Sequence, residues 1–97
     1  MVVVRDIFRT KPGKAKDLVQ RFKKSMPYME GPGFQGMRVM TDMVANYWTV
    51  VVESQVDDLA TFEKQMRNMG SKPELGEIMK GYMDSVESGY REIFKIE

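Results

Sequence analysis

Residues 37–54 run Met37-Arg38-Val39-Met40-Thr41-Asp42-Met43-Val44-Ala45-Asn46-Tyr47-Trp48-Thr49-Val50-Val51-Val52-Glu53-Ser54. Two runs of alternating, β-branched and aromatic residues flank a short polar break at Ala45-Asn46, which is the pattern of a strand, a turn and a strand. The first of these strands spans 35–43, with Met37, Val39, Thr41 and Met43 on one face and Arg38, Met40 and Asp42 on the other. The second spans Tyr47 to Ser54, with Trp48, Val50 and Val52 one way and Tyr47, Thr49, Val51 and Glu53 the other. The turn lacks the Asn-Gly or Asp-Gly signal, so its length is open. A two-residue loop would pair Arg38 with Glu53, and a three-residue loop would not.

Outward from this hairpin the periodicity changes. Before it, Ala15, Leu18, Val19, Phe22 and Met26 recur at helical spacing, and Pro27 followed by Gly31-Pro32-Gly33 is expected to end that helix. Earlier still, Val2 to Thr10 reads as a strand stopped by Lys11-Pro12-Gly13. After the hairpin, Asp57 and Asp58 suit the positive end of a helix carrying Leu59, Phe62, Met66 and Met69. Gly70 stops it, and Pro73 opens a further helical stretch with Leu75, Ile78, Met79, Tyr82, Met83 and Val86. Gly89 then turns the chain into a last strand, Tyr90 to Ile96. The order β-α-β-β-α-(α)-β predicts one α+β domain over 1–97, a ferredoxin-like sandwich of four antiparallel strands with its helices on one face.

Helices cover one face of such a sheet, yet the strands are apolar on both. Val51 and Tyr47 oppose Val50 and Val52, and Tyr90, Phe94 and Ile96 oppose Ile93. An uncovered apolar face is larger than a soluble monomer usually exposes, so a homodimer through that face is expected.

Composition narrows the chemistry. The 97 residues contain no Cys and no His, which removes disulfides, thiolate catalysis, the commonest metal ligand and the usual general base. No metal and no cofactor are expected, and no catalytic residue is singled out. Net charge is +1, but residues 1–24 carry a local +6 and the remainder a local −5. A basic first helix lying beside acidic later ones accounts for this better than a nucleic-acid surface, because no aromatic residues interleave the basic stretch. No apolar run approaches the roughly 20 residues of a membrane span. No nucleic acid, no membrane and a cytoplasmic location are the expectations.

The first strand running into Arg9-Thr10-Lys11-Pro12-Gly13-Lys14, the helix with Leu18 and Phe22, Tyr47-Trp48-Thr49-Val50-Val51-Val52-Glu53 and the closing Gly89-Tyr90-Arg91-Glu92-Ile93-Phe94 resemble the dimeric α+β barrel superfamily. Within it the small NIPSNAP-like and antibiotic-biosynthesis-monooxygenase-like proteins look closest. The resemblance implies a homodimer whose facing sheets enclose a cavity. It does not imply a reaction, and its haem-handling branches depend on a histidine absent here.

The residues proposed to line a ligand space between the sheets are Arg38, Met40, Asn46, Tyr47, Trp48 and Tyr90. Their function is read as binding of a small apolar or aromatic ligand. The alternative is a cofactor-independent monooxygenase acting on an aromatic or quinol-like substrate, with Asn46, Tyr47 and Trp48 converging on Arg38 or Tyr90. Asp42, Glu53 and Glu92 are expected on the inner sheet face as ion-pair partners of Arg5, Arg38 and Arg91 rather than as a catalytic carboxylate pair. Of the ten methionines, Met26, Met66, Met69, Met79 and Met83 read as core filler on helical stripes.

Overall fold

The first strand, β1 (Val2–Thr10), lies in the interior of the sheet, where its run of β-branched residues can pack on both faces. The structure, a computed structural model, describes residues 1–29 and 33–97. The elements that follow are α1 (Ala15–Met29), β2 (Gln35–Thr41), β3 (Thr49–Val56), α2 (Leu59–Met69), α3 (Pro73–Met79), a short 3₁₀ turn (Tyr82–Asp84) and β4 (Val86–Lys95). The sheet order is β2-β3-β1-β4, with all neighbours antiparallel. This is the ferredoxin-like α+β fold that the order of periodicities predicts.

Alternation places Val4, Phe8, Val50, Val52, Val56 and Met37 toward the helices. There they meet Leu18 and Phe22 of α1, Phe34, and Phe62 of α2 to form the core. Phe8 and Phe22 pack with centroids 5.3 Å apart, and Phe34 meets Phe62 edge-on at 6.3 Å. Arg21 ties α1 to the end of α3, its Nη1 donating to the carbonyls of Ile78 and Lys80, while its Nε holds Asp17 at 3.0 Å. Ser85 also donates to Asp17 at 2.8 Å, and the Arg21 and Ser85 hydrogen bonds hold that carboxyl below its usual range.

Asp58 caps α2 as expected, its Oδ1 accepting from Thr61 N at 2.7 Å. Four boundaries differ from the sequence expectation. Helix α1 runs through Pro27 to Met29, with Met26 and Met29 both packed on the core, at the loss of the hydrogen bond that the Pro27 nitrogen cannot donate. The Gly31-Pro32 stop lies outside the described residues. Helix α3 ends at Met79, where Gly81 takes a left-handed φ of 78°, so Met83 leaves the apolar stripe and is exposed. β4 begins at Val86, with Gly89 inside it opposite Phe8. A Cβ at Gly89 would stand 3.2 Å from both the Ile7 carbonyl and the Phe8 ring, so the glycine admits the ring that packs against α1.

The fourth difference is the central hairpin. Arg38 pairs with Glu53, Val39 with Val52, Met40 with Val51 and Thr41 with Val50, which is the register of the two-residue alternative. The ladder opens early, however, and residues 43–48 leave the sheet. Asp42 closes it by accepting from Thr49 N at 2.9 Å through Oδ1. Tyr47 and Trp48 take left-handed φ values of 60° and 55°, a conformation that cannot continue a strand. The Trp48 carbonyl is held by Thr10, whose N and Oγ1 donate at 2.8 and 2.9 Å.

Candidate functional site

The face of the sheet away from the helices carries an alternating row of charges, one from each strand. In spatial order these are Arg38, Glu53, Arg5 and Glu92. Arg38 donates to Glu53 Oε2 from Nε at 3.2 Å and from Nη2 at 2.9 Å. Arg5 lies 3.4 Å from Glu53 Oε1 and 3.7 Å from Glu92 Oε2. The Glu53 side chain is only 13% exposed, and the Arg38 hydrogen bonds, with a smaller contribution from Arg5, hold its carboxyl below the usual range against the opposing effect of burial.

Apolar side chains border this row. Met40, Val51, Ile7 and Tyr90 occupy neighbouring positions on one side, and Val3 and Phe94 lie on the other. Tyr90 is 62% exposed and Phe94 48% exposed, with the Arg5 guanidinium 5.5 Å from the Phe94 ring centre.

A second surface lies at the hairpin end. Tyr47 and Trp48 line a groove with Met43, Thr41, Asp42 and the Ala15, Lys16 and Val19 face of α1. Met43 and Val44 are almost wholly exposed there, and Asn46 is exposed at the tip. The six residues expected to form one site therefore fall into two groups. Arg38, Met40 and Tyr90 share the open sheet face, whereas Asn46, Tyr47 and Trp48 sit in the loop beside α1.

The third feature is a cleft of about 460 Å³ between the helices and the sheet. Its wall is built from Phe8, Phe22, Phe34 and Phe62 and from five methionines, Met29, Met37, Met66, Met69 and Met79, with Val4, Val52 and Leu75. Met66, Met69 and Met79 are thus cavity wall as well as packing, a use that suits flexible thioethers. Among the described residues the charged side chains in this wall are Asp6, Lys72 and Arg91. Arg91 Nε donates to Asp6 Oδ1 at 2.5 Å, and its guanidinium carbon lies 5.1 Å from the Phe62 ring centre.

Two sequence expectations are corrected by this arrangement. Arg91 does not join the inner-face row, because alternation in β4 sends it to the helix side while Glu92 faces the other way. Asp42 does not join it either, because its carboxylate closes the hairpin on Thr49. Among the described residues no group of three or more Asp or Glu side chains is placed to hold a metal ion, and no helix is long and apolar enough to cross a membrane.

Solved structures match this architecture over its whole length. An uncharacterised NIPSNAP domain protein from Burkholderia xenovorans superposes with a TM-score of 0.84 at 14% identity, covering 100% of this chain and 95% of its own. The fold is that of the NIPSNAP domain. A NIPSNAP family protein from Agrobacterium tumefaciens gives 0.79 at 13% identity, covering 99% of this chain and 92% of its own. The same fold extends to an antibiotic biosynthesis monooxygenase, at 0.76 and 10% identity, covering 100% of this chain and 99% of its own. No family profile and no curated protein matches the sequence. At these identities the likeness to the NIPSNAP domain is one of fold, and function must be argued from the side chains.

Sequence reasoning missed the Asp6–Arg91 pair. The signal was present in the alternation. Asp6 interrupts the helix-facing series Val2, Val4, Phe8 on β1, and Arg91 precedes Ile93 on the same face of β4. Charges at core-facing positions of two paired strands are unusual and call for a reason.

Proposed function

We propose that this chain is a homodimeric binding protein that holds a small, largely apolar ligand in the cleft between its helices and its sheet. The observation that carries this reading is the cleft itself, about 460 Å³ with four phenylalanines and five methionines in its wall. A space of that size and lining is in the range of small-molecule sites.

The dimer is supported by the open sheet face, where Tyr90 and Phe94 stand exposed beside Ile7, Val51 and Met40. A second copy applied to that face would remove these side chains from water. The self-paired charge row would cross such an interface without leaving an isolated charge.

A second placement, between the two sheets, is favoured by the grouping of Arg38, Met40 and Tyr90 on that face. The alternative reading as a cofactor-independent monooxygenase draws no support from the placement of the side chains. Its aromatic loop residues and Arg38 or Tyr90 stand apart within the chain. A cytoplasmic location fits the same reading.

Native mass spectrometry of the protein as purified tests both parts of the proposal. A dimer that takes up one molecule of N-phenyl-1-naphthylamine per subunit is the expected result. A monomer would remove the dimer, and a dimer that takes up none would remove the ligand site.

A further inference from the structure

We infer that the cleft takes an amphiphile with an apolar body and a single carboxylate head, seated on Arg91. This rests on the reading of the cleft as a ligand site and specifies the ligand's chemistry. Asp6 and Arg91 are direct partners across β1 and β4, and both project among apolar side chains on the helix side. The Arg91 side chain is 41% exposed and that of Asp6 25%, so the pair stands at the mouth of the cleft, where a ligand head can reach it. Here the pairing is incomplete, since Asp6 meets only the Nε edge of the guanidinium, at 2.5 Å.

Among the described residues the Nη groups of Arg91 make no hydrogen bond. Guanidinium binds carboxylates best through a two-nitrogen edge, and Arg91 keeps Nη donors available for such a contact. Its guanidinium carbon lies 5.1 Å from the Phe62 ring centre, a cation–π contact that favours this position before a ligand arrives.

Among the described residues Lys72 is exposed and donates to the Tyr28 carbonyl at 2.8 Å, so Arg91 is the cation placed to meet a ligand head. The apolar wall accounts for the body of the ligand, and Arg91 accounts for its head.

The experiment is displacement of N-phenyl-1-naphthylamine, a neutral fluorescent probe, by decanoate and by decanol at pH 8. The quantity read is the ratio of their displacement constants in the native protein and in Arg91→Gln. The inference predicts that Arg91→Gln weakens decanoate roughly tenfold or more while decanol and the probe hold their affinities. Because Arg91→Gln leaves Asp6 without its partner, the double variant Asp6→Asn/Arg91→Gln is measured beside it and is expected to show the same loss. Probe binding with an unchanged ratio in both variants would overturn the carboxylate head and leave the apolar site standing. No probe binding in the native protein would remove the site and the inference together.

Discussion

Arg38 on β2 and Glu53 on β3 stand directly opposite each other, and both Nε and Nη2 of the arginine donate to one carboxylate oxygen of the glutamate, at 3.2 and 2.9 Å. Glu53 receives Arg5 on its other oxygen, and its side chain is largely buried. The pair lies in the register of the hairpin and begins the row of charges that crosses the open face.

Glu53 makes stability depend on acid. Its folded-state pKa is depressed, chiefly by the Arg38 hydrogen bonds. The stabilisation it contributes is complete above the pKa of an unfolded-state glutamate and is lost as pH falls through the lower folded-state value. Chemical denaturation measured from neutral pH down to about pH 3 should show that loss, with the Glu53→Gln variant less stable at neutral pH and flatter below the usual carboxylate range. Parallel curves for the two proteins would mean that Glu53 is not held by its arginines in solution.

Val51 sits between Ile7 and Met40 in the middle of the open face. A lysine there would place an unpaired charge in the proposed interface, at a cost of about 2–4 kcal/mol of association free energy. Sedimentation velocity should find Val51→Lys shifted toward monomer at micromolar concentration, with its far-ultraviolet circular dichroism unchanged. A dimer of undiminished affinity would place the interface elsewhere.

Tyr47 is 78% exposed yet holds a left-handed φ of 60°. An aromatic residue gains nothing from that conformation, whereas asparagine tolerates it well. Tyr47→Asn should therefore raise stability by roughly 0.5–1 kcal/mol in urea unfolding. A loss of stability instead would show that the ring is covered in the assembled protein.

Element order was legible in the sequence because the alternation of 37–41 and 49–54 and the helical stripes of α1 and α2 agree with the packing. Local conflicts decided the misplaced boundaries. The helical periodicity beyond Met79 continues through Tyr82 and Val86, and only the left-handed turn at Gly81 breaks it. Gly89 reads as a stop until Phe8 is seen lying against it.

The candidate site was less legible for a different reason. Residues such as Met66 and Met79 carry the same apolar pattern whether they fill a core or line a space within it. Only the distance between helices and sheet separates those outcomes, and no residue type encodes it. The charged pair at Asp6 and Arg91 was the one mark of the cleft that alternation alone could have exposed.

The methionines supply a direct test of where the ligand sits. Met29, Met37, Met66, Met69 and Met79 line the cleft, Met40 lies on the open sheet face, and Met83 is exposed beside α3. With methyl-labelled methionine, titration of N-phenyl-1-naphthylamine followed by proton–carbon correlation spectra reports on all these places at once. The account predicts shifts of the five cleft methyls, with Met40 and Met83 unmoved. Shifts centred on Met40, with the cleft methyls still, would contradict it and put the ligand between the sheets.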